Sequence, residues 1–292
     1  MGFVLGRDQW LARFGNGLEN RGTAASRRAH PTRATETERH PEDENEVRST
    51  MEGFDPFDSF GLEVASSYDE DPRGDEAETV EFLAEHAGTG PVLEFAIGTG
   101  RIALPLSERG IRVDGIEQST AMVDQLRAKP GADKISITIG DMSAVALPEQ
   151  YTLVYLVFNT IHNLLTQDGQ VRCFENAARH LDSDGVFVVE TGVPWRGPRE
   201  GSYIEVPKVT MGEVRISPHT YDAMTQILDI SHLRLTTEGI QMSPLSLRLV
   251  YPSELDLMAR IAGLRLRHRW GGWKQETFTV HSRRHVSVYE RR

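Results

Sequence analysis

The chain of 292 residues has a single cysteine, Cys173, so no internal disulfide framework and no cysteine-rich zinc site can form. Positive charge is also scarce: 32 Lys and Arg stand against 43 Asp and Glu, a formal net charge of −11. That balance excludes a general nucleic-acid binder, which needs a dense Lys/Arg face to neutralise phosphates. Long apolar runs are missing as well. The longest candidate, Leu153 to Phe158, has strand length and is too short to cross a bilayer. No zinc spacing, Walker loop or nucleophile elbow occurs, so no metal is expected. What the chain does have is 39% hydrophobic residues, enough for a sizeable core. A soluble protein of the reducing cytoplasm fits these features.

Residues 1–50 are polar, and after Trp10-Leu11-Ala12-Arg13-Phe14 they carry almost no apolar periodicity. They read as a disordered N-terminal extension, with Met51 as an alternative start. Phe3-Val4-Leu5 is interrupted by Gly6-Arg7-Asp8, unlike a secretory signal, and eight acidic residues among the fifty argue against a transit peptide. Residues 51–292 form the folded domain. From about Gly61 strands and helices alternate: a helix over Glu76–His86, a strand over Pro91–Ala96, a helix from Ile102 to Arg109 closed by Gly110, and a strand over Ile111–Ile116. A helix capped by Ser119 follows, then strands at Lys134–Ile139 and Tyr151–Phe158, a helix with Val171, Phe174, Ala178 and Leu181 on one stripe, and a strand at Gly185–Thr191. This alternation predicts an α/β fold with a doubly wound, mostly parallel sheet. Residues 200–251 then read as consecutive strands (203–209, 212–217, 225–235 and 245–251) without helices between them, an antiparallel β insertion after the fifth strand. A helix opened by Pro252 and strands at Leu264–Trp270 and Arg284–Tyr289 close the domain.

The chemistry concentrates at the ends of the first strands. Gly98 and Gly100 let the backbone turn tightly and approach a ligand, and the following helix offers free N–H groups. A Gly-x-Gly turn alone is weak evidence. Glu94, however, stands inside an apolar strand, where an unpaired carboxylate is costly. Either it accepts backbone N–H groups from nearby loops, or it organises the turn toward a cationic ligand. Glu117 comes 23 residues later, where an acid commonly takes both ribose hydroxyls, and Asp141 comes 24 residues after that. Three acids at successive strand ends fall on one sheet edge, the edge where open α/β proteins bind ligands. Gly98-x-Gly100-x-x-Ala103 also satisfies a dinucleotide fingerprint, but an acid at Glu94 works against a pyrophosphate. A sulfonium cofactor with an amino-acid tail suits the charge better.

Glu94-x-Ala96-x-Gly98-x-Gly100, Glu117, Gly140-Asp141-Met142 and Phe158-Asn159-Thr160 resemble the ordered motifs of the class I S-adenosylmethionine-dependent methyltransferases. The resemblance covers residues 61–292 and, through the insertion, points to the small-molecule branch that includes the sugar N,N-dimethyltransferases. It implies a seven-stranded, Rossmann-like sheet. It also implies S-adenosyl-L-methionine as cofactor, bound by Gly100 among others, with Glu94, Ala96, Gly98 and Arg101 around the methionine part and Arg101 near its carboxylate. Ala96 replaces the first motif glycine. Glu117 would hold the ribose, Gln118 and Met122 would flank the adenine, and Asp141 with Met142 would meet its amino edge. Phe158 and Asn159 would lie beneath the sulfonium, and Tyr68 would cover the cofactor from the preceding segment. Met122 and Tyr68 are equally readable as ordinary packing residues.

His162, three residues after Asn159, is the best-placed side chain for near-neutral proton transfer, although a packed histidine is the blander reading. His219, Tyr221 and His232 in the insertion could contact an acceptor, and Trp195 with Trp270-Gly271-Gly272-Trp273 could wall its pocket. His281 to His285 reads as a solvated strand end. The expected activity is methyl transfer by in-line displacement to an N or O atom of a small molecule, without nucleic-acid or membrane partners and compatible with a homodimer. The alternatives are an NAD(P)-dependent oxidoreductase and a non-catalytic cofactor-binding scaffold.

Overall fold

The computed structural model describes residues 51, 54, 59–194, 199 and 201–292; the readings of the first fifty residues and of Trp195 lie outside them. The described chain opens with helix α1 (Leu62–Ser67), a 3-10 turn (Tyr68–Glu70) and helix α2 (Glu76–Ala87). Strand β1 (Val92–Phe95) is buried at every position and alternates its side chains between two cores. Leu93 and Phe95 enter one core, and Val92 enters the other. Then come helix α3 (Ala103–Glu108), strand β2 (Val113–Glu117), helix α4 (Thr120–Arg127) and strand β3 (Ser136–Ile139). The hydroxyl of Ser119 caps α4 by accepting the Met122 N–H at 3.2 Å. Strand β4 (Tyr151–Leu156) leads through a 3-10 turn (Thr160–Asn163) to helix α5 (Gln167–His180) and strand β5 (Leu181–Gly192).

These strands form a seven-stranded sheet in the order β10-β11-β5-β4-β1-β2-β3, completed by β10 (Leu264–Trp270) and β11 (Arg284–Arg291). Pairings from β5 to β3 are parallel, while β11 alone runs against the rest, pairing antiparallel with both β5 and the edge strand β10. From β1 the chain winds outward to β2 and β3, then returns to lay β4 on the other side of β1. The order therefore reverses between β1 and β4, and a crevice opens at their carboxyl ends.

The insertion is a separate antiparallel sheet of four strands: β6 (Gly201–Val209), β7 (Glu213–Asp222), β8 (Ile227–Thr236) and β9 (Ile240–Arg248). Strand β7 extends five residues beyond the expected Ser217, and β9 starts at Ile240 rather than Leu245. Both extensions run along β8 through backbone pairing, as in Asp222↔Ile227 and Leu235↔Ile240, which apolar patterning does not register. Helix α6 (Pro252–Ile261) returns the chain to the main sheet; Glu254 accepts the Tyr251 N–H at 3.1 Å, and Gly263 (φ +75°) ends it. Among the described residues no helix is long and apolar enough to cross a membrane.

Candidate active site

The turn after β1 faces the crevice. Ala96 (φ +53°) and Gly98 (φ +56°) both adopt the left-handed region, one with a Cβ and one without. The two glycines serve different needs. A Cβ on Gly98 would meet only the Ala96 carbonyl oxygen, at 3.9 Å, so that side of the turn is open to a ligand. A Cβ on Gly100 (φ +75°) would stand 2.8 Å from Leu126 Cγ, so Gly100 is required by the packing of α4.

Glu117 is the last residue of β2, not a residue past it, and its carboxylate ties the turn to the strand. Oε2 accepts the Gly98 N–H and Oε1 accepts the Ser119 N–H, each at 2.8 Å. Burial raises its pKa, and the backbone N–H donors oppose the rise. Glu94 is 3% exposed, and its Oε2 accepts the Tyr155 hydroxyl at 2.9 Å. Burial lifts Glu94 well above the usual carboxylate range; the Tyr155 hydrogen bond works against this and the charge of Glu117 adds to it. Thus a buried carboxyl whose hydrogen-bond partners are neutral lines a pocket with Tyr68, Ala96, Gly98, Arg101 and Phe158. Cationic charge from a ligand would stabilise its ionised form. Glu94, Gly98 and Glu117 therefore fit a cofactor bearing an ammonium group, a sulfonium and a ribose diol.

The segment before α2 closes over this pocket. Arg101 does not stand free for a carboxylate: Nη2 donates to the Tyr68 carbonyl at 2.6 Å, and the guanidinium lies 4.7 Å from the centre of the Tyr68 ring. It also lies 3.5 Å from both Asp69 and Glu76. Its principal contacts hold Tyr68 at the pocket. Asp69 completes the attachment, accepting the Thr99 hydroxyl at 2.8 Å and pairing with Lys129 at 2.6 Å.

The residues expected around adenine are less convergent. Gln118 is exposed. Met122 packs with Ala65 and Ala121, and Met142 belongs to the core between the sheet and α5. Asp141 accepts the Ser143 N–H and hydroxyl, at 2.7 and 2.9 Å, and so shapes the turn after β3. Phe158 (φ +63°) and Asn159 (φ +65°) take successive left-handed conformations at the end of β4. Asn159 Oδ1 accepts the Gly192 N–H at 2.5 Å.

His162 does not meet the requirement for a base working near neutral pH. It is 4% exposed, its Nε2 lies 3.0 Å from the Thr191 hydroxyl, and burial pushes its pKa down to about 4. His285 is buried as well, with Nδ1 at 2.8 Å from the Ser287 hydroxyl, which corrects the reading of a solvated strand end. Trp273 packs edge-on against Phe82 of α2 and belongs to the core, as does the partly buried Trp270 packed against it. In the insertion, His219 stacks on Tyr203 at 4.7 Å, His232 Nδ1 lies 3.1 Å from the Ser217 hydroxyl, and Tyr221 joins a small core with Leu228 and Ile230.

Two residues at the site escaped the sequence reading. Glu190, near the end of β5, is 1% exposed and receives both terminal nitrogens of Arg73. The signal that marked Glu94, a carboxylate in an apolar strand, was equally present at Glu190.

The family description "Methyltransferase domain" matches residues 92–185. The solved CcbJ methyltransferase from Streptomyces caelestis is 35% identical and superposes with a TM-score of 0.77, covering 82% of this chain and 99% of its own. The cypemycin N-terminal methyltransferase of a Streptomyces species is 25% identical over 202 residues, 68% of this chain and 82% of that protein. The fold is shared with S-adenosylmethionine-bound CalS10, an amino pentose methyltransferase from Micromonospora echinaspora. That structure is 21% identical, with a TM-score of 0.60 and coverage of 79% of this chain and 96% of its own. With its seven-stranded sheet, its acid-and-glycine turn and a relative matched over nearly its whole length, the chain belongs to the class I S-adenosylmethionine-dependent methyltransferases, in their small-molecule branch.

Proposed function

We propose that this enzyme methylates a nitrogen or oxygen atom of a small molecule by a single in-line displacement, with an amine as the first acceptor class to test. The observation that carries the reading is the pair Glu94 and Glu117 flanking the open face of Gly98. The amine preference rests on the N-terminal methyltransferase activity named for the cypemycin relative. S-adenosylmethionine, when bound, supplies a methyl group already activated by its positive sulfur. The chain's own task is then to bind, orient and exclude water. Glu94 would meet cationic charge, Glu117 would add a diol to its two backbone donors, and Tyr68 with Phe158 would close the pocket. No side chain is assigned as a base, because His162 is enclosed and weakly basic. The nicotinamide reading is set aside, since Glu94 opposes a pyrophosphate and the relatives are methyltransferases.

The test combines calorimetric titration with S-adenosylhomocysteine and transfer of labelled methyl from S-adenosylmethionine to a panel of amines and alcohols. Binding with turnover on the panel supports the proposal. Binding without turnover on any acceptor supports the non-catalytic scaffold instead. We place the enzyme in the cytoplasm, in keeping with its lone, buried Cys173.

We also infer that two copies pair through the outer face of the inserted sheet. Val209, Val214, Leu235 and Ile240 make one cross-strand row, with Ile216, Leu233 and Met242 on the same face. Ile240 is 69% exposed and Val209 71%. Four strands about 4.8 Å apart over about 20 Å span roughly 400 Å², the size of the largest apolar patches that proteins expose, which are often functional. These rows carry no charge on a chain of net charge −11, so two copies can meet there without repulsion.

A further inference from the structure

We propose that Arg73 and Glu190 are positioning residues for methyl transfer, holding the turn after β4 in its reactive shape and locking it to the segment that closes the cofactor pocket. The proposal rests on the reading that Phe158 lies at the reacting end of the cofactor. Arg73 reaches Glu190 with two parallel hydrogen bonds of 3.0 Å, Nη1 to Oε2 and Nη2 to Oε1. This fork is the geometry in which guanidinium and carboxylate bind most specifically. Glu190 Oε2 also accepts the Phe158 N–H at 2.7 Å, and the Glu190 carbonyl accepts the Asn159 N–H at 3.3 Å. The Arg73 guanidinium lies over the Phe158 ring, 4.1 Å from its centre.

Arg73 therefore holds Phe158 twice, its ring directly and its backbone through Glu190. That hold matters because Phe158 and Asn159 both sit at positive φ, a conformation that non-glycine residues keep only where their surroundings impose it. The same short segment is fastened at its other end to the glycine turn, through Asp69 with Thr99 and Lys129 and through Arg101 with the Tyr68 carbonyl. Residues 68–73 thus bridge the two turns that wall the pocket, the one after β1 and the one after β4. Seating Tyr68 and shaping the Phe158 turn become one event. Neither residue is required to touch the reacting atoms.

The experiment compares wild type with Arg73→Met, Arg73→Lys and Glu190→Gln by amide hydrogen exchange, with and without S-adenosylhomocysteine. In Arg73→Met and Glu190→Gln, exchange is expected to rise at least tenfold together in residues 68–76 and 158–163. Helix α5 and strands β7 and β8 keep wild-type rates. Arg73→Lys, which keeps the charge but loses the fork, is expected to fall between. On any acceptor that the wild type methylates, kcat is expected to fall at least tenfold, a larger factor than the rise in KM for S-adenosylmethionine that loosening of the Tyr68 segment brings. Wild-type exchange in 158–163 in the Arg73→Met and Glu190→Gln variants would overturn the proposal. So would a uniform rise across the whole fold, which is what a purely structural ion pair would give. The ligand-free arm reads the coupling even if wild type binds no S-adenosylhomocysteine, the result that would instead overturn the functional reading.

Discussion

Tyr155 and Glu94 meet at the floor of the cofactor pocket, the tyrosine hydroxyl donating at 2.9 Å to a carboxyl group that burial has made reluctant to ionise. A carboxyl with a raised folded pKa favours folding while it is protonated. That contribution is complete below the ordinary value of 4.5 and is lost as pH rises through the folded value. The ligand-free enzyme should lose stability over this window, and Glu94→Gln should flatten the loss. The same substitution should weaken S-adenosylmethionine by about 1.5–3 kcal/mol, the worth of hydrogen bonds to a charged group. Thermal unfolding from pH 4 to 8, paired with cofactor titration, checks both; a parallel pH slope in the variant would exclude Glu94 as its source.

Glu117 has two duties that one substitution confounds. Glu117→Ala should weaken cofactor binding by roughly 1–3 kcal/mol and also lower the Tm, because the Gly98 and Ser119 N–H groups lose their acceptor. Glu117→Gln keeps one acceptor oxygen and should recover part of the stability while still binding poorly. An unchanged dissociation constant for S-adenosylhomocysteine in the Ala variant would remove Glu117 from the site.

The two glycines of the turn should separate cleanly. Gly100→Ala drives a Cβ to 2.8 Å from Leu126 and should cost about 1–3 kcal/mol of stability through overpacking. Gly98→Ala has room for its Cβ, so beyond the roughly 1–2 kcal/mol of left-handed backbone strain that both substitutions carry at positive φ, its effect should fall on cofactor affinity. Denaturant unfolding beside calorimetric titration gives the two ratios, and equal effects of both substitutions on affinity would contradict the division.

His162 should not appear in the pH–rate profile. With its pKa pushed down to about 4 by burial, the ring is neutral across the range from pH 5.5 to 8. His162→Asn should retain turnover within a few-fold while losing some stability from the packed site. A neutral-pH ionisation abolished by that substitution would restore the histidine as a base.

Ile240→Asp places a charge in the apolar rows of the inserted sheet and should convert a dimer into a monomer in light-scattering chromatography, with cofactor affinity unchanged. A wild-type protein that is monomeric at high concentration would sink the pairing.

The α/β alternation, the mostly parallel sheet, the acid-and-glycine turn and the importance of Glu117 were readable in the residues, whereas the strand order was not, because a buried parallel strand shows as a continuous apolar run and a carboxylate in or beside it stands out, but pairing partners do not show. Glu94 and Glu117 follow from that local logic. Arg73 does not. It lies in a polar stretch, and its meaning comes from Glu190, 117 residues away, in a strand that reaches it only after the chain has reversed around β1. The histidine next to the site was visible too, but its basicity was not, since burial is a property of the assembled core. By itself the sequence determined the kind of fold and the charge of the cofactor's binding edge, both consequences of local pattern and side-chain chemistry. Only tertiary structure decided which polar groups are enclosed, which glycine faces a ligand and which faces a helix, and which distant charges meet across the pocket, because each depends on packing between elements far apart in the chain.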